Sequence, residues 1–277
     1  MVTWTLIQKQ RLQELGAGEE QLEQFFADAL ERNACYQRIE HELTDRGKEI
    51  LSNYQEQAKI PALAELERRL VDALTSAGFA QVSTPILLSR GLLAKMQITE
   101  DHALFKQVFW VDSKKCLRPM LAPNLYYLNK DLLRIWKHPV SIFEVGPCFR
   151  KDTQGGKHMQ EFTMLNLVEM GLPEERCSDR LRELAELVMD AAALDNYEYE
   201  TEKSEVYGET IDLVSGDLEL GSGAMGPHVL DRNWGITVPW VGIGFGLERL
   251  VMAKEGYKNV QKAGRSLAYL NGIRLNI

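Results

Sequence analysis

Between Phe143 and Asn166 the chain reads FEVGPCFRKDTQGGKHMQEFTMLN. Two largely apolar runs flank a polar loop with two glycines, so the segment predicts two strands joined as a hairpin. A long hairpin commits its neighbourhood to an antiparallel sheet, and no other stretch constrains the fold as strongly. An arginine leaves the first strand at Arg150, and an aromatic ring enters the second at Phe162. A fixed cation and a flat ring so placed suit a nucleotide, the cation for a phosphate and the ring for a base. A period of two puts Phe162, Met164, Asn166 and Val168 on one face, together with His158. At about 3.3 Å per residue, Phe162 and Asn166 stand roughly 13 Å apart on that face.

A second pattern lies at Trp240-Val-Gly-Ile-Gly-Phe-Gly-Leu-Glu-Arg249. Alternation places Trp240, Gly242, Gly244 and Gly246 on one face of a strand, cleared of side chains so that a ligand can approach the backbone. The strand runs into a helix whose first turn carries Arg249, and helix N-termini favour anions. This is not a dinucleotide fingerprint, because Arg249 stands where a third spaced glycine belongs. Asp217-Leu-Glu-Leu-Gly-Ser222 adds Glu219 and Ser222. A carboxylate beside a hydroxyl can hold Mg²⁺ against phosphate oxygens; the competing meaning is a solvated strand edge.

The remaining elements predict an α+β fold, an antiparallel sheet flanked by helices with an N-terminal helical extension. Residues 5–57 read as helical, with Leu22, Phe25, Phe26, Ala29 and Leu30 at amphipathic spacing and Gly16 and Gly18 as punctuation. Pro61 marks a boundary, so the extension is expected over 1–58 and the main domain over 59–277. Leu63, Leu66, Leu70 and Leu74 line a helix that Gly78 ends. Strands are expected at Phe79–Ser83, Leu104–Val111, Cys116–Leu121, Ser141–Arg150, His158–Met170, Tyr197–Thr201, Thr210–Val214, Asp217–Leu220 and Trp240–Gly246. Helices are expected from Pro123 to about Trp136, over Glu174–Ala193, and from Leu247.

The formal net charge is −8, which argues against coating nucleic acid through an overall field. Lys9, Arg11, Arg32, Arg38, Arg46 and Lys48 leave room for a local basic patch or for an ordinary solvated helix surface. Cys35, Cys116, Cys148 and Cys177 are scattered and form no CxxC pair, and the histidines form no HxxxH pair. Neither a zinc knuckle nor a disulfide framework is expected, and a reducing cytoplasm fits. No apolar run of about 18 residues predicts a membrane span.

These segments together resemble the class II aminoacyl-tRNA synthetases. The helix, strand and Pro85 resemble motif 1, the hairpin around Arg150 resembles motif 2, and Gly244-Phe-Gly-Leu-Glu-Arg249 resembles motif 3. Within that class the chain more closely resembles the pyrrolysyl-tRNA synthetase family. Cys116-Leu-Arg-Pro-Met-Leu-Ala-Pro-Asn-Leu-Tyr126, Glu161-Phe-Thr-Met-Leu-Asn166 and Gly216-Asp-Leu-Glu-Leu220 are similar to its signature segments, in order, over roughly residues 60 to 277.

The resemblance implies roles. Arg150 would bind the α-phosphate of ATP, and Arg249 the γ-phosphate. Asp152, His158, Met159, Leu220 and Gly246 would border the nucleotide, with Phe162 stacked on adenine. Glu219 and Ser222 would contact Mg²⁺. The amino-acid pocket would comprise Ala122, Leu125, Tyr126, Asn129, Asn166, Val168, Tyr207, Ala224, Trp240 and Gly242, with Asn166 reading a side-chain amide carbonyl. Tyr207, in the segment Ser204–Gly208, would close over it. Asp152 departs from the family's glutamate, Asn129 from an apolar residue and Val168 from a frequent cysteine.

The implied reaction is ATP-dependent activation of pyrrolysine, or a similar Nε-acylated lysine, and transfer to an amber-decoding tRNA. Implied partners are that tRNA, a second copy of the chain through motif 1, and a separate N-terminal tRNA-binding polypeptide where the bacterial arrangement holds. Two alternatives stay open: a class II enzyme for another bulky amino acid, and a non-catalytic synthetase-like binding protein.

Overall fold

The computed structural model describes every residue except Ala58, Thr153, Gln154 and Glu205. The last three fall within the expected hairpin loop and the Ser204–Gly208 segment, and so lie outside the described residues. The chain divides into two compact units, residues 62–265 and residues 1–61 together with 266–277. The first unit therefore ends before the last twelve residues, which the sequence pattern grouped with the sheet. Among the described residues, no helix is long and apolar enough to cross a membrane.

The larger unit begins with α4 (Ala62–Ser76), numbered after three helices of the smaller unit. Leu66, Leu70 and Leu74 recur at helical spacing and are buried. Gly78 has φ +90°, a conformation that a β-carbon disfavours, and it turns the chain into β1 (Ala80–Gln81). Then follow β2 (Leu87–Ser89), α5 (Arg90–Lys95), α6 (Ala103–Gln107), β3 (Lys115–Leu117) and α7 (Ala122–Leu132). The long hairpin is β4 (Val140–Phe149) and β5 (Glu161–Met170). After it come α8 (Cys177–Ala192), β6 (Glu198–Ser204), β7 (Gly208–Ser215), β8 (Leu218–Gly226), α9 (Asp231–Trp234), β9 (Trp240–Gly246) and α10 (Leu247–Glu255).

Among the described residues, seven strands form one sheet in the order β1-β4-β5-β9-β8-β7-β6. All pairs are antiparallel except β1 with β4. The pleat sorts each strand by face. Phe143, Leu165, Leu167, Ile243 and Phe245 join α4, α8 and α10 in one core. Ile142, Val168, Met170 and Trp240 turn the other way, against Leu93, Leu121, Leu125, Tyr126 and Trp234. This second cluster covers only part of its face, and the uncovered part is the floor of a cleft.

A buried polar network fixes the approach to that floor. Arg118, 2% exposed, donates to Glu144 at 2.6 Å, to the Pro147 carbonyl at 2.8 Å and to the Thr84 hydroxyl at 3.0 Å. Glu144 accepts in turn from the Thr84 hydroxyl and amide. Asn124 donates to the Pro85 carbonyl. The Thr84-Pro85 turn, β4 and α7 are thus held as one piece.

The smaller unit contains α1 (Leu6–Leu15), α2 (Glu19–Leu22), α3 (Ala29–Glu56) and a terminal hairpin of Tyr269–Leu270 with Ile273–Arg274. The expected helix through Leu22–Leu30 is not present. Asp28 caps α3 by accepting from the Leu30 and Glu31 amides, which starts a new helix there. Phe26 instead bridges to Val2 and packs on Trp4 at 4.4 Å, leaving Phe25 and Leu30 exposed. In the expected basic patch, Lys9, Arg11, Arg38 and Lys48 each face a carboxylate: Glu23, Glu40, Glu42 and Asp45.

Two other expectations change. Leu104–Val111 is not a strand: α6 occupies Ala103–Gln107, capped by His102, whose Nδ1 accepts from the Leu104 amide. The strand expected at Cys116–Leu121 stops at Leu117, because Arg118 turns inward to Glu144.

Candidate active site

A cleft of about 520 Å³ lies on the uncovered face of the sheet, over β5, β8 and β9. Its floor is set by register. Asn166 on β5 pairs with Gly244 on β9, and Gly244 pairs with Ser222 on β8. One rung further, Val168, Gly242 and Ala224 align in the same way.

The glycines divide into two kinds. A β-carbon on Gly221 would lie 2.5 Å from the Phe245 ring, and one on Gly226 would lie 1.9 Å from the Trp240 indole nitrogen. Those glycines serve packing within the protein. On Gly242, Gly244 and Gly246 the nearest atoms would be 3.4, 3.3 and 3.7 Å away, all from side chains. Packing does not demand glycine at these three positions, and the space above each opens into the cleft.

At one end stand two arginines. Arg150 donates from Nε to the Pro119 carbonyl at 2.9 Å, which fixes its guanidinium 5.3 Å from the centre of the Phe162 ring. Burial lowers its pKa from the ordinary arginine value, and the nearby Arg249 charge lowers it further. An anion between the two would relieve both effects. Arg249 reaches the Glu219 carboxylate at 3.2 Å and its carbonyl at 3.1 Å. His158 faces Asp152 at 3.9 Å. His158 lies in the loop before β5 rather than on the strand, yet it still borders the cleft. Met159 also borders it, accommodated by Gly264, where a β-carbon would lie 2.5 Å from its sulfur.

Glu219 and Ser222 both supply oxygens to the cleft lining. The Ser222 hydroxyl donates to Asp212 at 2.6 Å, which directs its lone pairs away from Asp212. Among the described residues, no group of three His, Cys, Asp or Glu could hold a metal ion. A carboxylate and an oriented hydroxyl suit a hard cation that keeps water and substrate oxygens in its shell, as Mg²⁺ does.

The other end is mostly apolar. Ala122, Tyr126, Val168, Ala224, Trp240 and Gly242 line it, with Asn166 as its amide. Asn166 Nδ2 donates to the Ile243 carbonyl at 2.9 Å, which holds the side chain in place. Asp231 accepts from Trp240 Nε1 at 3.0 Å and from the His228 amide at 2.7 Å. The Tyr207 ring lies 5.8 Å from His228 and 6.2 Å from Trp240. Burial raises both the Tyr126 and Tyr207 hydroxyls, so each stays neutral.

Three residues named from sequence do not line the cleft. Leu125 is fully buried in the helical cluster, Leu220 points to the opposite face of the sheet, and Asn129, on α7 itself, is fully buried. Others line it without having been singled out: His102, Ala103, Leu104 and Gln107 on or before α6, and Met120, Lys157, Thr210 and Glu248. Glu248 sits in the quoted motif 3 segment, and its polar type in an apolar run was the available signal. Lys157 donates to Asp217 and so ties the hairpin loop to the β7–β8 turn.

The family described as "tRNA synthetases class II core domain (F)" matches residues 47–270. A crystal structure of pyrrolysyl-tRNA synthetase from Desulfitobacterium hafniense is similar at 55% identity. That match has a TM-score of 0.94 and covers 99% of each chain. A second structure of a pyrrolysyl-tRNA synthetase from the same organism is 54% identical, with a TM-score of 0.92, covering 99% of this chain and 96% of that one. Family match, full-length similarity and the shared order of motifs agree, and the chain belongs to the class II aminoacyl-tRNA synthetases, in the pyrrolysyl-tRNA synthetase family.

Proposed function

We propose that this chain activates pyrrolysine, or a similar Nε-acylated lysine, with ATP and transfers it to the 3′ end of an amber-decoding tRNA. The observation that carries this reading is the pairing of two cleft ends. Arg150 and Arg249 stand at one, a mostly apolar recess with a single fixed amide at the other, and Gly244 between them.

Arg150 holds the α-phosphate and Arg249 the γ-phosphate, while Phe162 stacks on adenine beside His158 and Met159. Gly246 leaves room for the bent nucleotide, and Asp152 steadies His158. Glu219 and Ser222 would hold Mg²⁺, which would supply charge neutralisation to the phosphates when bound. Ala122, Tyr126, Val168, Ala224, Trp240 and Gly242 enclose the side chain, Asn166 reads its amide carbonyl, and Tyr207 covers it.

A carboxylate is already ionised at neutral pH, so attack on the α-phosphorus needs no general base. Its oxygen forms the new O–P bond as the α–β bridging bond breaks, and pyrophosphate leaves. A terminal ribose hydroxyl of the tRNA then attacks the acyl carbon and AMP leaves. The residues contribute position and fixed charge.

The chain acts as a homodimer. Ile86, Leu87 and Val111, beside the β2–β3 pair, are between 42% and 59% exposed and offer an apolar surface to a second copy. Sedimentation equilibrium tests this, and a monomer at micromolar concentration would exclude it. The enzymatic reading is tested by ATP–pyrophosphate exchange. Exchange with an Nε-acyl-lysine is expected, lost in Arg150→Ala. Exchange with phenylalanine but no acyl-lysine would select the other-amino-acid reading. No exchange with any amino acid would select a binding protein.

A further inference from the structure

The ladder between β5 and β9 ends at the pair Met164–Gly246, where the chain leaves the sheet and enters α10. Beside β4 the same strand runs on through Thr163, Phe162 and Glu161. The first amide past the end of the β9 ladder is that of Thr163, a residue 1% exposed, and buried amides are nearly always bonded. Its acceptor is Glu248, in the first turn of α10 and 2% exposed, with both carboxylate oxygens 2.9 Å from the Thr163 nitrogen. A side chain thus takes the place of a strand. Gly264 makes room for it, since a β-carbon there would lie 3.2 Å from Glu248 Cγ. Arg265 donates to the Thr163 hydroxyl at 2.9 Å and faces Glu161 at 3.7 Å. The residues next to this bond both line the cleft. Phe162 precedes Thr163 on β5, its ring 5.3 Å from the Arg150 guanidinium, and Arg249 follows Glu248 on α10.

We propose that Glu248 is a positioning residue for the nucleotide, holding Phe162 on β5 and Arg249 on α10 at one fixed separation, that between the adenine ring and the γ-phosphate of a folded-back ATP. This rests on the reading that those two residues take the base and the γ-phosphate. Both oxygens of Glu248 are engaged by the Thr163 amide, so it acts through β5. Two contacts fixed in advance at the right distance bind a ligand that spans them more tightly, because making the second contact costs little further freedom. Each end has its own support besides. Phe162 is paired with Cys148 on β4, and Arg249 meets the Glu219 carboxylate at 3.2 Å. Loss of the Glu248 bond therefore penalises a ligand that spans both ends and spares a ligand that touches one.

The test compares three ligands by calorimetric titration in Mg²⁺ buffer. ATP spans both ends, AMP reaches Phe162 and Arg150, and inorganic tripolyphosphate reaches the arginines. In Glu248→Ala, ATP is expected to bind at least about tenfold more weakly than in the parent, with AMP and tripolyphosphate within about twofold. Glu248→Gln keeps an acceptor oxygen for the Thr163 amide and should restore ATP binding to within about threefold of the parent. Glu248→Asp, one methylene short, should weaken ATP alone in the same direction, and it answers the question if the alanine variant does not fold. Unchanged ATP affinity in the alanine and aspartate variants would overturn the proposal. So would a fall in AMP or tripolyphosphate binding as large as that in ATP, which would place the effect of Glu248 at one end of the cleft or on the fold as a whole. A parent that binds ATP with variants that match it defeats this inference alone, whereas a parent that binds no ATP defeats the reading it rests on.

Discussion

Ser222 and Asn166 stand on one rung of the sheet, with Gly244 between them on the intervening strand. Two strand spacings separate them, about 10 Å. On the proposed reading, the rung spans from the cation-binding hydroxyl to the amide that reads the amino acid, and the reacting atoms meet above Gly244. A β-carbon there would touch only the mobile Met164 methyl, at 3.3 Å. Gly244→Ala should therefore fold with a stability change within about 0.5 kcal/mol, measured by urea denaturation. Pyrophosphate exchange should fall at least about tenfold, because the methyl occupies the reaction centre. A variant that keeps full exchange would show that substrates do not approach this strand.

Glu248 ties α10 to β5. Both its oxygens accept from the Thr163 amide at 2.9 Å, and Arg265 donates to the Thr163 hydroxyl. Burial raises the Glu248 pKa above the ordinary glutamate range, against the pull of its bond to Thr163. The folded state then holds a proton that the unfolded chain has released. Its contribution to stability is full below the unfolded value and is lost as pH rises through the folded one. Glu248→Gln has no such proton. The difference in melting temperature between variant and parent should shift in the variant's favour as pH rises from about 4.3. A difference independent of pH over that window would contradict the raised value.

Local patterns explain how much of this was legible in the chain. The β4–β5 hairpin and the glycine strand were readable because period two depends only on neighbours. Residues 104–111 misled because a short apolar run suits helix or strand alike, and the deciding His102 cap is a single contact. Leu125 and Leu220 were carried over by position, and position does not reveal which face a side chain takes. The Glu248–Thr163 bond joins residues 85 apart, and no periodicity announces such a pair.

Asp231 fixes one wall of the apolar end, the amino-acid end on the proposed reading, without lining the cleft. Its carboxylate accepts the Trp240 indole N–H and the His228 amide, and Trp240 in turn bounds the recess. Asp231→Ala leaves two donors unmet, at about 1–3 kcal/mol each. The expected kinetic signature is a KM for the amino acid raised about tenfold or more, with the KM for ATP unchanged. Asp231→Asn, which retains one acceptor oxygen, should fall between. Equal rises in both KM values would show that the carboxylate supports the whole fold rather than this wall.

Arg118 provides the sharpest test of what holds the cleft's approach in place. The side chain is buried with Glu144 at 2.6 Å and meets the Pro147 carbonyl and the Thr84 hydroxyl besides. A β-carbon on Gly146 would lie 2.2 Å from its guanidinium, so the strand is shaped around the arginine. Removing one partner of such a pair strands a buried charge, and Arg118→Ala should cost about 3–5 kcal/mol. Replacing both ions is a different change, since no charge is stranded. The double variant Arg118→Met with Glu144→Gln should be less destabilised than the sum of the two single variants by about 1–3 kcal/mol. Urea melts of the four proteins at pH 7 give the coupling directly. Additive losses would mean that the two side chains stabilise the fold independently, through their separate bonds to Thr84 and Pro147.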